Sequence, residues 1–269
     1  MEGLLRRVIT AGLLLVGFVA ALFWASAPVW AALIAGVVGI AAHEWARLGQ
    51  FPPGVSVLYA LALGGMALLL PYLAAADFSL LRNGLLVWAA LFWIAIAPLW
   101  LALRWRGQRF FIRAAVGVVV LLPTWVALLY LRERGPGVLL IVLAVVWVAD
   151  TAAFFAGRQF GQHKLAPRIS PGKTREGVIG AVLALVLYAS AVSAAVVGLR
   201  IVGALVLTMA LLYFSVLGDL FESWIKRVSD MKDSGSLLPG HGGILDRIDA
   251  LTAALPIAAG VLILAEHYA

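Results

Sequence analysis

Residues 200–217, RIVGALVLTMALLYFSVL, run straight into 218–249, GDLFESWIKRVSDMKDSGSLLPGHGGILDRID, and then into 250–266, ALTAALPIAAGVLILAE. A helix needs about 20 predominantly apolar residues to cross a bilayer. The polar block therefore sits between two membrane spans. It holds six of the chain's thirteen acidic residues. The flanking runs decide the fold, and the block between them is where chemistry is to be sought.

Outward from this stretch the same pattern recurs. Apolar runs fall near 7–25, 28–43, 55–74, 84–103, 112–131, 137–157, 177–198, 200–217 and 248–266. The chain is 64% hydrophobic and 12% charged, about half the charge of a soluble domain. It reads as an all-α polytopic integral membrane protein of about nine transmembrane helices, a single membrane domain over 1–269. Residues 1–140 supply N-terminal helices; 141–269 supply the helices and loops that carry the chemistry. The short second run and the tight junctions at 26–27 and 199–200 leave eight or ten spans open. Arg6, Arg7, an apolar stretch and Ala25-Ser26-Ala27 imitate a signal peptide. Since only further spans follow, the segment is expected to stay as the first helix. Pro98, Pro123 and Pro256 fall in or near spans and are expected to kink them.

Alternating nine spans from a cytoplasmic N-terminus leaves only Arg82, Arg132, Arg134 and Arg200 outside; the other sixteen of the twenty basic residues face the cytoplasm. That asymmetry is the positive-inside pattern. It puts both large polar loops, 158–176 and 218–247, on the cytoplasmic face. The net charge of +7 is then largely topology and gives no reason to expect nucleic acid. The basic loops still offer a surface to lipid headgroups or nucleotides. There is no cysteine, which excludes thiol catalysis, disulfides and Cys-ligated metals.

Within the block, Asp219, Glu222 and Lys226 share one face if the helix continues, and Asp246 and Asp249 project together from the start of the last span. A salt-bridge ladder and a helix-dipole cap would each explain one pair. Two pairs at adjacent helix mouths, joined by Pro239-Gly240-His241-Gly242-Gly243, exceed what capping needs. Oxygen-only ligands point to Mg²⁺ rather than Zn²⁺. The glycines let backbone amides converge on a phosphate, with His241 as a further donor. Lys226, Arg227, Lys232 and Arg247, interleaved with the acids, suit a metal–triphosphate complex.

The other loop carries Arg168-Ile169-Ser170-Pro171-Gly172-Lys173-Thr174-Arg175-Glu176-Gly177. Gly-Lys-Thr imitates a P-loop, but position 167 is proline and the flanks are spans. Ser170 and Lys173 instead suggest a phosphate or headgroup loop. Asp150 lies inside the sixth span, where an ionisable residue is functional by default. His43-Glu44 begins like a zincin motif, but position 47 is Arg, so the pair reads as an interfacial anchor.

The run Ser223-x-x-Lys226-Arg227-x4-Lys232-Asp233-x-Gly235-x3-Pro239-x-His241-Gly242-Gly243-x-x-Asp246-Arg247-x-Asp249 resembles the phosphatidate cytidylyltransferase (CDP-diacylglycerol synthase) family without a gap. Asp150-Thr151 through Gly157-Arg158-x-Phe160-Gly161, Ser170-Pro171-x-Lys173-Thr174-x-Glu176-Gly177 and Gly218-Asp219-x-x-Glu222-Ser223 fit as well. The likeness spans roughly 150–255. It implies Mg²⁺-dependent reaction of CTP with phosphatidate, a homodimer, and Asp219 and Asp246 as ligands of one or two metal ions. Asp249 would be a further ligand or orient one. Lys226, Arg227, Lys232, Arg247, His241 and the Gly242 and Gly243 amides would hold phosphate oxygens, and Ser170 and Lys173 the lipid phosphate or the pyrophosphate end. Asp150 and Glu222 would support a metal or a lysine.

Phosphatidate, with a second pKa of about 6, is largely dianionic at neutral pH and needs no strong base to attack the α-phosphorus. The short, Ala-rich, cysteine-free chain suggests a bacterial inner membrane. The rivals are a CTP-dependent transferase acting on another lipid phosphate and a transporter with Asp150 as its ion site. The transporter would place its charges in the spans rather than in the loops.

Overall fold

The computed structural model describes residues 2–73, 77–196, 198–237 and 242–268, without the side chains of 2–11 and 14. The helices are α1 (Glu2–Trp24), α2 (Ala27–Leu48), α3 (Pro53–Leu73), α4 (Phe78–Leu91), α5 (Ala97–Leu103), α6 (Phe110–Glu133), α7 (Pro136–Phe160), α8 (Arg175–Ala195), α9 (Ile201–Val228) and α10 (Leu245–Tyr268). A π-helical turn, Phe92–Ile96, joins α4 and α5 into one rod just before Pro98. There the wider turn and the missing proline N–H share one local irregularity. Pro123 and Pro256 lie inside α6 and α10 as expected, and Pro71 inside α3.

Eight helices are long and apolar enough to cross a membrane among the described residues. The ninth expected span corresponds to α1, whose described apolar part is only Leu15–Trp24, so it does not join that count. The departure from pure helix is an antiparallel hairpin, β1 (Lys164–Ala166) and β2 (Ser170–Thr174), in the loop before α8.

Alternation of the rods collects the polar connections at two ends. At one end, Gln108 Nε2 donates to Val228 O (3.3 Å), Trp224 Nε1 to Trp105 O (2.8 Å) and Ser229 Oγ to Leu48 O (2.5 Å). At the other, Arg82 and Arg134 lie over the Tyr130 ring, and Arg134 pairs with Glu266 at 2.7 Å. Arg132 donates to Leu22 O and Ala25 O there. Arg82, Arg132 and Arg134, three of the four basic residues expected outside, thus gather at one end.

Between the ends the rods approach closely at small residues, which is how helices pack where lipid removes the hydrophobic drive. A Cβ on Gly64 of α3 would meet Gly39 Cα at 3.2 Å, and one on Gly180 of α8 the Ala156 Cβ at 2.3 Å. Helix α6 runs through the middle, with Trp125 and Tyr130 buried, whereas α3 and α8 present Leu58, Leu61, Leu183 and Leu187 outward to lipid.

Candidate active site

Helix α9 has 28 residues, hence about 42 Å of length, against about 30 Å of hydrocarbon core. Its C-terminal turns therefore continue past the apolar layer, and the face Asp219–Glu222–Lys226 is built on rigid helix. Phe221 locks that segment. Its ring lies edge-on to Phe92, Trp93 and Trp100, with centroids at 5.3, 5.6 and 5.5 Å. The π turn brings consecutive Phe92 and Trp93 onto this one partner, and such aromatic pairs are worth about 0.5–1.5 kcal/mol each beyond area burial.

Gly218 sets how near α10 comes. A Cβ there would lie 2.6 Å from Asp249 O and 3.3 Å from Ala253 Cβ. The bare backbone lets Asp219 and Glu222 face Asp249 across the contact between the two helices. Gly218→Val is expected to spread α9 from α10 and cost about 1–3 kcal/mol. Thermal unfolding in detergent checks this, and an unchanged midpoint would contradict the close approach.

The hairpin brings the second loop to the same helix. Thr174 caps α8 by accepting from Gly177 N at 3.1 Å, and Glu176 accepts from the His163 amide and Nδ1. With β2 so anchored, Lys173 Nζ reaches Asp219 Oδ2 at 2.5 Å, while Ser223 Oγ donates to Asp219 Oδ1 at 3.2 Å. Gly172-Lys173-Thr174 is therefore a strand and a helix cap, as the rejection of a P-loop required. Asp150, Ser170, Lys173 and Asp219 line the polar side of a cavity of about 460 Å³ between α7, α8 and α9. Ala149, Ala153, Phe154, Val178, Leu212 and Val216 form its apolar side.

A second lysine–acid pair lies across the helix mouth. Lys226 Nζ is 2.7 Å from Asp246 Oδ1 and 3.4 Å from Glu222 Oε1. Asp246 Oδ2 accepts from Ser234 N (2.9 Å), Ser234 Oγ (3.0 Å) and Gly243 N (2.9 Å). Gly242, at φ +81°, makes the turn, and a Cβ there would lie 2.8 Å from Asp246 Oδ2. The amide of Gly243, expected to face a phosphate, is thus directed to Asp246.

The remaining candidates divide. Arg227 Nε donates to Ile169 O at 3.3 Å and so ties α9 to the hairpin turn. Lys232 and Arg247 are exposed beside the site. Pro239, Gly240 and His241 lie outside the described residues. Glu44, read as an interfacial anchor, is instead 3% exposed and faces the start of α10. Its signal was a carboxylate among Ala41, Ala42, Trp45 and Ala46, all buried on α2.

The acid surplus suits a cation. Both Glu222 oxygens are buried and accept no hydrogen bond from the described residues, Lys226 at 3.4 Å being near enough for attraction but not aligned for a bond. Among the described residues no three carboxylate or imidazole side chains enclose a metal position. Mg²⁺ does not ask for such a cage, since it keeps several waters and takes one or two carboxylates.

One lysine–carboxylate pair, Lys173–Asp219, lines the cavity, and the other, Lys226–Asp246, joins α9 to α10 beside it. A sequence model of the "Cytidylyltransferase family" matches residues 5–265. The chain belongs to the cytidylyltransferase family. A phosphatidate cytidylyltransferase of Pseudomonas aeruginosa is 40% identical over 271 residues, covering 96% of each chain. One of Haemophilus influenzae is 35% identical over 276 residues, covering 93% of this chain and 96% of its own. One of Brucella suis is 50% identical over 116 residues, 43% of each chain. In this cytidylyltransferase-family chain the match extends through the N-terminal helices, where sequence reading found only apolar spans.

Proposed function

We propose that the chain transfers CMP from CTP to phosphatidate, forming CDP-diacylglycerol and pyrophosphate. The observation that carries this reading is the cavity beside Asp219: Lys173 and Ser170 at its polar side, lipid-compatible Phe154, Leu212 and Val216 at the other. Phe154 is 59% exposed, which supports a cavity reachable from the bilayer. A phosphate monoester on a diacyl chain matches that polarity. The names of the full-length relatives support the same substrate.

In this reading the lipid phosphate oxygen attacks the α-phosphorus of CTP, and the bond to the β-phosphate oxygen breaks as pyrophosphate leaves. The chain's task is to align two anions and offset their repulsion. Lys173 holds the lipid phosphate with Ser170, exchanging its Asp219 partner for phosphate oxygens. Lys226, with Lys232 and Arg247 at the rim, faces the triphosphate. Asp219 and Asp246 would hold magnesium with help from Glu222 and Asp249. The bound ion would supply charge neutralisation on the triphosphate oxygens. Asp150 orients Lys173 from below. The same reading takes the protein as a homodimer in a bacterial inner membrane, its loop end cytoplasmic, which the sixteen-to-four charge asymmetry supports.

Lys173→Ala is expected to raise the KM for phosphatidate by about tenfold or more, the loss of one charge-assisted contact, with a smaller effect on the KM for CTP. Steady-state kinetics in mixed micelles checks the split. Unchanged kinetics would remove Lys173 from the lipid site.

A further inference from the structure

Helix α2 reaches the site through one buried carboxylate. Glu44 Oε1 accepts from Ile244 N at 3.1 Å, and Oε2 accepts from Leu245 N at 2.7 Å, so it takes two of the free amides at the start of α10. Oε2 also lies 3.1 Å from Ser234 Oγ. Ser234 is fully buried, and its hydroxyl is 3.0 Å from Asp246 Oδ2 as well. One hydroxyl carries one proton, so Ser234 donates to Glu44 or to Asp246 but not to both. Two glycines make room for this carboxylate: a Cβ on Gly235 would stand 2.4 Å from Glu44 Oε1, and one on Gly243 2.4 Å from Oε2. Both flanks of the turn into α10 are therefore shaped around Glu44, and the same flanks supply the Ser234 and Gly243 amides to Asp246 Oδ2.

We propose that Glu44 is a positioning residue for nucleotidyl transfer: it fixes Ser234–Gly235 and Gly243–Leu245, and through them the Asp246–Lys226 pair. The inference rests on the reading above, in which that pair serves CTP. The chemistry calls for a carboxylate. Two backbone N–H groups point at it from the turn, beside the Ser234 hydroxyl, and an amide in its place would turn an NH₂ against one of those N–H groups. An end cap alone would need neither the Ser234 link nor glycines on both flanks.

The test uses the full-length protein in detergent or nanodiscs. Glu44→Gln is expected to lower kcat by about tenfold or more, because misplaced reacting groups cost rate steeply. The KM for phosphatidate is expected to stay within about twofold, since the lipid end is built on Lys173. Amide hydrogen exchange is expected to rise over Gly243–Asp246 and not in the hairpin. Ser234→Ala is expected to lower kcat less, and Glu44→Gln/Ser234→Ala to be no slower than Glu44→Gln, as members of one network behave.

A wild-type kcat in folded Glu44→Gln overturns the proposal, as does a rate loss that only follows the loss of folded protein. If Glu44→Gln does not fold, Ser234→Ala decides, and an unchanged kcat there overturns it. Asp246→Asn run in parallel separates the two levels. An active Asp246→Asn removes the underlying reading. An inactive one beside a fully active Glu44→Gln removes only this inference.

Discussion

Asp246→Asn is expected to reduce CTP-dependent formation of lipid-linked CMP by about 10²–10³-fold or more, with the protein still folded. The side chain works on two sides at once. Oδ1 meets the Lys226 ammonium at 2.7 Å, and Oδ2 receives two amides and lies 3.0 Å from the Ser234 hydroxyl. An asparagine has one acceptor oxygen. Whichever side it serves, its NH₂ faces either an ammonium or two backbone donors. The stability cost of such unmade bonds is about 1–3 kcal/mol, so unfolding in detergent would show a lowered but cooperative transition. Near-normal turnover would mean that the α10 carboxylate lies outside the chemistry.

Lys226→Met is expected to lose activity and also to destabilise the fold by about 3–5 kcal/mol, the usual effect of breaking a buried ion pair from one side. Lys226 is 9% exposed, and its ammonium is the cation shared by Asp246 and Glu222. Methionine keeps the stem and removes the charge, leaving those two acids facing Asp249 without the ammonium they share. Added Mg²⁺ is expected to raise the unfolding midpoint of this variant more than that of the parent protein. A variant as stable as the parent, with or without Mg²⁺, would show that the acids do not act on one another.

Most of the frame was legible because hydropathy over about 20 residues is a strong signal. The expected run at 137–157 became α7 over Pro136–Phe160, and that at 112–131 became α6 over Phe110–Glu133. The eighth run was placed at 200–217, yet α9 continues to Val228. Its polar C-terminal turns carry charge without breaking helical periodicity, so hydropathy ends where the helix does not. The hairpin was missed because three- and five-residue strands rich in Pro, Gly and Lys leave almost no periodic trace.

The site was legible in its residue types and only partly in its contacts. Spacing on one helix face joined Asp219, Glu222 and Lys226. It could not say that Lys173 would take Asp219 and Lys226 take Asp246, since those pairs depend on how loops fold back. Glu44 lies 200 residues from Ile244, the amide it accepts from. A local reading has no means of joining them; a carboxylate in an apolar stretch and glycines flanking a polar turn hint only separately that something must fit there.

Passage of CMP from CTP to a lipid phosphate at this site can be followed directly by isotopic label. Purified protein is incubated with Mg²⁺, phosphatidate and CTP labelled at either the α- or the γ-phosphorus, and the organic phase is counted. The expected result is α-label in the lipid, γ-label in pyrophosphate, and almost no lipid label from either with Asp246→Asn. Label from the γ-phosphorus entering the lipid, or no lipid label from folded parent protein, would contradict it.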